Sequence, residues 1–264
     1  MSSPTYEERR SQIENYFDRT AMDAWSRMTS DAPLSRVRET VRAGRERMRS
    51  ELIALLPSDL TGRRILDAGC GTGQLAIELA ARGAEVIAID LSPNLVAIAR
   101  QRTDASVLRG SVAYLSGDML DPALGRFDHV VAMDSLIHYR AEDAVQVIAS
   151  LAARTRDSMA LTFVPSTPAL TAMYYAGKVF PRADRAPAIE PIRESKLLRL
   201  SETSLALSNW QLRPATRVSN GFYISNALHV ERTQASRMRK SDAALQSTES
   251  AADNDATASR ERSA

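Results

Sequence analysis

Short apolar runs and amphipathic stretches alternate through the middle of the chain. Arg64–Asp67, Glu85–Ile89, Val112–Ser116, His129–Met133 and Ala160–Val164 are apolar and short, the pattern of strands in a covered sheet. Between them Gln74–Arg82, Pro93–Gln101 and Glu142–Ala153 carry apolar residues at helical spacing, and Ser92-Pro93 supplies an N-cap with proline in the first turn. Strand-to-strand crossovers of about a dozen residues or more predict a parallel sheet with helices on both faces. Downstream, QLRPATRVSN and FYISNALHVERT flank Asn220-Gly221, which predicts an antiparallel hairpin at the sheet edge and brings the sheet to seven strands.

The flanking segments differ from this core. Residues 1–10 are polar and expected to fray, whereas Ser11–Trp25 places Ile13, Tyr16, Phe17 and Trp25 in one or two short helices packed over the main domain. Residues 34–56 read as a second helix, with Val37, Val41, Met48, Leu52 and Leu55 on one face. Arg36, Arg38, Arg42, Arg45, Arg47 and Arg49 fill much of the rest. Such a basic run is either a solvated face or a surface for a carboxylate-bearing substrate, a partner or an anionic membrane. After the fifth strand, Pro165 to about Lys196 forms an insertion: an amphipathic helix with Met173, Tyr174, Tyr175, Val179 and Phe180, then a proline-rich segment with Arg182 and Arg185. It is read as a substrate lid. A helix over Arg193–Leu207 leads to the hairpin. Ser236–Ala264 lacks large apolar residues and is expected to be disordered. The chain thus divides into a helical arm (1–57), a main domain (58–235, lid about 165–196) and a tail (236–264).

Composition narrows the function little. The 264 residues are 44% hydrophobic and 25% charged, which suits a soluble domain with a substantial core. A formal net charge of +2 does not call for nucleic acid, and the single cysteine, Cys70, excludes an internal disulfide framework. No signal peptide is evident and no apolar run approaches the ~18 residues of a membrane span, so a cytoplasmic protein is expected.

The candidate chemistry gathers at the strand ends. In ILDAGCGTGQLAIEL (Ile65–Leu79), a strand ends in Asp67, a turn carries Gly69, Gly71 and Gly73, and a helix follows at once. Glycines there let backbone approach a ligand, and free N–H groups at the helix start favour polar or anionic groups. The Gly-x-Gly-x-Gly spacing resembles motif I of the S-adenosylmethionine-dependent methyltransferases. Asp90, about 20 residues on, ends the next strand where a carboxylate can accept both ribose hydroxyls. Gly117-Asp118-Met119 ends the third strand and resembles that superfamily's adenine site, an acid for the exocyclic amine beside an apolar cover. Asp134 follows the fourth strand. Four acids placed alike on successive strands point to one shared site beyond the carboxyl ends.

Asp134-Ser135-Leu136-Ile137-His138-Tyr139 occupies the place where methyltransferases of nucleic-acid bases often carry Asn/Asp-Pro-Pro-Phe/Tyr, which disfavours that class. A small or medium-sized organic acceptor fits better. His138, one of three histidines, is placed to donate a hydrogen bond, act as a base or bind a metal-bearing substrate axially. A lone histidine there is otherwise structural. Tyr16 is placed to hydrogen-bond from the arm.

From about Tyr16 to Arg232 the chain resembles the magnesium-protoporphyrin IX O-methyltransferases of bacteriochlorophyll synthesis. The likeness rests on YFDRTAMDAW, SRVRETVRAGRERMR, LDAGCGTGQLAIELA, AIDLSP, DSLIHY, FPRADRAPAIEPI and GFYISNALHVER. It implies a Rossmann-like class I methyltransferase fold, S-adenosylmethionine as donor, and esterification of one porphyrin propionate. It also implies Tyr16 and His138 as the residues important to the reaction. Donor contacts would come from Asp67, Gly69, Gly71, Gly73, Asp90, Leu91, Asp118, Met119 and Asp134, with no metal held by the protein. By the same resemblance, arginines of the second helix and lid would suit the other propionates. The partners implied are the porphyrin-carrying large subunit of magnesium chelatase and the membrane surface. The rival readings are a methyltransferase of another small molecule, such as a quinone precursor, and a non-catalytic S-adenosylmethionine-binding protein.

Overall fold

The computed structural model describes residues 4–19, 36–166 and 189–233. The expected lid (167–188 of it) and the tail from 234 onward lie outside the described residues, as do Trp25 and the link between the first two helices. In chain order the elements are α1 (Pro4–Arg19), α2 (Arg36–Ala54), β1 (Arg64–Ala68), α3 (Gln74–Ala81), β2 (Glu85–Asp90), α4 (Pro93–Arg102), β3 (Ser111–Ser116), β4 (Phe127–Ala132), α5 (Ala141–Ala152), β5 (Thr155–Phe163), α6 (Glu194–Glu202), β6 (Trp210–Asn220) and β7 (Tyr223–Arg232).

The strands form one seven-stranded sheet in the order β3-β2-β1-β4-β5-β7-β6. The first five are parallel, and β7 pairs antiparallel to both β5 and β6. This is the doubly wound sheet with a terminal hairpin that the sequence pattern predicts. The order in which strands are added reverses between β1 and β4, so the crevice for a ligand opens at the carboxyl ends of β1, β2 and β4. One face is closed by Met48, Leu52 and Ile53 of α2 with Leu75, Leu79 of α3 and Val96, Ala99 of α4. The other is closed by Ile148 and Leu151 of α5 with Leu197 of α6. Among the described residues no helix is long and apolar enough to cross a membrane.

Several boundaries differ from the sequence reading, each for a tertiary reason. Strand β5 begins at Thr155 rather than Ala160 because both neighbours extend it: Phe127 pairs with Thr155, and Ser158 with Glu231. The last helix stops at Glu202, and Leu205–Leu207 forms a separate 3-10 turn. The hairpin loop is Gly221-Phe222, one residue later than expected, with φ +58 at Gly221. The largest departure is at the amino terminus. Residues 4–10, expected to fray, form the first turns of α1 because four side chains tie them to the domain. Thr5 donates to Asp143 (2.8 Å), Arg9 pairs with Glu190 (2.7 Å), and Tyr6 and Arg10 both reach Asp118 (2.8 Å each).

Helix α2 lies close against the hairpin. A Cβ added at Gly44 would come within 2.7 Å of the Tyr223 ring, so only glycine admits that approach. The ends of the insertion after β5 are fastened together: Pro165 and Ile192 form a β-bridge, Ser166 N donates to Ile192 O (2.9 Å), and Ile192 N to Val164 O (2.8 Å). Glu190 N donates to Ile137 O (2.8 Å), which sets the root of the insertion against the segment that carries His138.

Candidate active site

The glycine turn after β1 is built by backbone hydrogen bonds to β2. Gly69 N and Cys70 N donate to Ile89 O (2.8 and 3.0 Å), and Gly71 N donates to Asp90 Oδ2 (2.8 Å). Gly69 has φ +83, and a Cβ there would lie 2.5 Å from Ser135 Cβ. Glycine is therefore required both for the turn and for contact with the segment after β4. Gly73 has φ +82 and caps α3. It does not line the cleft, and its missing Cβ makes room for the Tyr114 hydroxyl, which would otherwise be 2.4 Å away.

The cleft at these strand ends has about 960 Å³ of space, open mouth included, and gathers most of the residues singled out from sequence. Asp67, Gly69, Gly71, Asp90, Leu91, Asp118, Met119, Asp134 and His138 all line it. Asp90 Oδ1 accepts from Ser92 N (3.0 Å) and Oδ2 from Gly71 N. Leu91 N–H also faces this carboxylate, and of the roughly four acceptor sites a carboxylate offers the remainder is left for a ligand. Asp118 Oδ1 accepts from Leu120 N and the Tyr6 hydroxyl (2.8 Å each), and Oδ2 from Arg10 Nη1.

Asp67 differs from these two. It is 1% exposed, and its Oδ2 is buried with no hydrogen-bond partner. Burial first, and the nearby Asp90 second, push its carboxyl up to about 7, while the Ala76 N–H draws it down. Burial also raises Asp90, against the backbone N–H groups of Ser92, Gly71 and Leu91. A buried acid with one oxygen unpartnered, beside a second acid, is a site that a cation relieves.

Tyr16 is not among the cleft-lining residues. It is half-buried on α1, one turn past Ile13, and burial raises its phenol. The arm instead contributes Tyr6 and Ile13. Tyr6 is buried, stacks on Tyr139 (ring centroids 5.1 Å apart, 17° between planes), and has its phenol raised by burial. Asp134 also departs from expectation. It lines the cleft, but its carboxylate is already engaged by Arg45 of α2 and the Tyr223 hydroxyl of β7. His138 closes the short 3-10 turn Leu136–His138, is 6% exposed and lines the cleft. Sequence reading did not single out Tyr6, Arg10, Tyr139 or Tyr223. Arg45 and Arg49, seen only as part of a basic run, both line the cleft, where Arg49 is paired with Glu78.

A Rossmann-like sheet in this strand order, with a glycine turn and acids at three successive strand ends, defines a class I S-adenosylmethionine-dependent methyltransferase. Residues 65–158 match the family model of the methyltransferase domain. Residues 132–232 match the model of the magnesium-protoporphyrin IX methyltransferase C-terminus. The magnesium-protoporphyrin O-methyltransferase of Rhodobacter capsulatus is 49% identical over 84% of this chain and 96% of its own. The chain belongs to that family. The crystal structure of magnesium protoporphyrin IX methyltransferase from Synechocystis PCC 6803 with bound SAH is 28% identical. It superposes with a TM-score of 0.72, covering 85% of this chain and all of that one. A ubiquinone biosynthesis O-methyltransferase of Xanthomonas oryzae is 32% identical, over only 56% of this chain.

Proposed function

We propose that the protein transfers the methyl group of S-adenosylmethionine to one propionate of magnesium-protoporphyrin IX, giving the monomethyl ester in bacteriochlorophyll synthesis. The observation that carries this reading is the convergence of Asp67, Asp90, Asp118 and His138 on one cleft, in a chain 49% identical to such an enzyme along nearly its whole length. The cleft suits the donor. Asp90 keeps acceptor capacity for a ribose hydroxyl, Asp118 beside Met119 suits the adenine amine, and the orphaned Asp67 oxygen suits a cationic group.

Bound S-adenosylmethionine supplies an electrophilic methyl on a sulfonium. A propionate oxygen forms the new bond to that carbon, the carbon–sulfur bond breaks, and its electron pair goes to sulfur, leaving S-adenosylhomocysteine. The positive sulfonium and negative carboxylate cancel, so no proton moves. A propionate is already ionised at neutral pH, so the chain has to orient and desolvate it rather than deprotonate it. His138 is assigned to hydrogen-bond and aim the acceptor. Tyr16, one turn past Ile13 on α1, is assigned to hydrogen-bond the acceptor from the arm.

The enzyme works beside the porphyrin-carrying large subunit of magnesium chelatase, at the photosynthetic membrane surface. The exposed Arg36 and Arg47, which fall on one side of α2, support this as cationic points for an acidic partner or anionic lipid.

The test is methyl transfer from labelled S-adenosylmethionine to magnesium-protoporphyrin IX, metal-free protoporphyrin or a quinone precursor, with products identified by mass. A monomethyl ester formed mainly from the magnesium porphyrin is expected; methylation of the quinone precursor alone overturns the acceptor assignment. Donor binding should also release protons. The free Asp67 carboxyl is held near 7, and a cation beside it favours the ionised form. S-adenosylmethionine affinity should therefore rise with pH up to about 7 and then level off. Calorimetry at pH 6 in buffers of different ionisation enthalpy checks this; a binding heat independent of buffer contradicts it.

A further inference from the structure

Asp134 is the only non-glycine residue with positive φ (+57) among the described residues. Aspartate enters the left-handed region more readily than most residues, though still at a cost that surrounding groups offset. Three elements do so. Its N–H donates to Thr162 Oγ1 of β5 (2.7 Å), its Oδ1 accepts from the Tyr223 hydroxyl of β7 (3.0 Å), and its Oδ2 is paired with Arg45 of α2. The Asp134 side chain is 5% exposed and that of Arg45 16%. Close approach at Gly44 seats the Tyr223 ring against α2, which fixes the hydroxyl's direction.

The constrained residue stands at a junction. Ser135, next in the chain, packs on Gly69 of the glycine turn. Ile137 accepts a hydrogen bond from Glu190 at the root of the insertion, and His138 enters the cleft. A buried ion pair is weak evidence for stability, because desolvation offsets much of its attraction. Its position at the one turn that joins donor loop, insertion root and His138 gives it another use.

We propose that Arg45, Asp134 and Tyr223 are positioning residues that set the path of the Met133–His138 turn, and thereby the aim of His138 at the acceptor. On this view Asp134 serves the acceptor side and does not bind the donor. The inference rests on the assignment of His138 to the acceptor.

The test uses the full chain with Tyr223→Phe and Asp134→Asn, each close in shape to the natural residue, and Arg45→Lys as the conservative partner. Turnover should fall about tenfold to a hundredfold, the scale of a small misplacement of reacting groups. Arg45→Lys should retain more activity than Arg45→Ala, while S-adenosylhomocysteine affinity by calorimetry stays within about twofold of wild type. The chain has three histidines, so each imidazole can be followed by NMR. The His138 signals should move in Tyr223→Phe, while those of His129 and His229, far along β4 and β7, stay in place. Unchanged turnover and unchanged His138 signals overturn the inference. So does a general loss, in which all three imidazoles shift and donor affinity falls together, since that marks a purely structural pair. Failure of wild-type protein to methylate the magnesium porphyrin would count against the proposed acceptor instead, and the imidazole signals would still decide whether the turn is set by Asp134.

Discussion

Asp90→Ala is expected to weaken binding of S-adenosylmethionine and S-adenosylhomocysteine about a hundredfold, which is ~3 kcal/mol. Two losses add. The ribose hydroxyls lose an ionised acceptor, and Gly71 N loses the partner that holds the glycine turn at 2.8 Å. The second loss makes this substitution more severe than removal of an acid that serves the ligand alone. Asp90→Asn separates the two, since its single carbonyl oxygen can hold Gly71 or serve the ribose better than it can do both. Its affinity should fall between the wild type and Asp90→Ala. Calorimetry with S-adenosylhomocysteine reads both. An Asp90→Ala variant that binds like wild type would show that the carboxylate neither serves the ribose nor holds the loop in the form the donor needs.

His138→Phe is expected to lower turnover by about two orders of magnitude while donor affinity stays near normal. Phenylalanine keeps a flat ring in the buried position at the end of the Leu136–His138 turn but removes both ring nitrogens. Because the acceptor arrives ionised, the loss should come from aim and hydrogen bonding rather than from a missing base. His138→Gln, which keeps a donor, should then recover part of the rate. Single-turnover kinetics with saturating donor isolates the step. Full activity of His138→Phe would reduce the residue to a packing role.

How far the sequence could go is seen by comparing these two residues with the ones it missed. Asp67, Asp90 and Asp118 were legible because each follows an apolar run at a fixed place, so one local pattern gives both the strand and the acid at its end. His138 followed from the same logic applied to β4. Tyr6, Arg10 and Arg45 have no such local mark. Tyr6 and Arg10 meet Asp118 across 112 and 108 residues, and Arg45 meets Asp134 across 89. Periodicity placed Arg45 on a basic helix but could not say which arginine turns inward. That choice is made by the seating of α2 on the hairpin at Gly44 and Tyr223. Polar residues 4–10 pointed to a frayed end for a related reason: their order comes from Asp118, Asp143 and Glu190, not from one another. Tyr16 stood out through the aromatic cluster of the arm and the family likeness, whereas Tyr6, which lines the cleft, sits in a polar stretch with no such mark.

The bridge between Pro165 and Ile192 bears on how this architecture can change over time. Entry to and exit from the insertion are side by side, fastened to each other and to Ile137 rather than to the sheet's hydrogen-bond ladder. Chain of almost any length can be spliced between two such points without altering strand register. Closing a longer loop adds only a slowly growing entropic cost. The register of the sheet that carries the glycine turn is therefore independent of the length of whatever is grafted there. A lineage could lengthen or shorten that one segment while the strands and the acids at their ends are inherited unchanged.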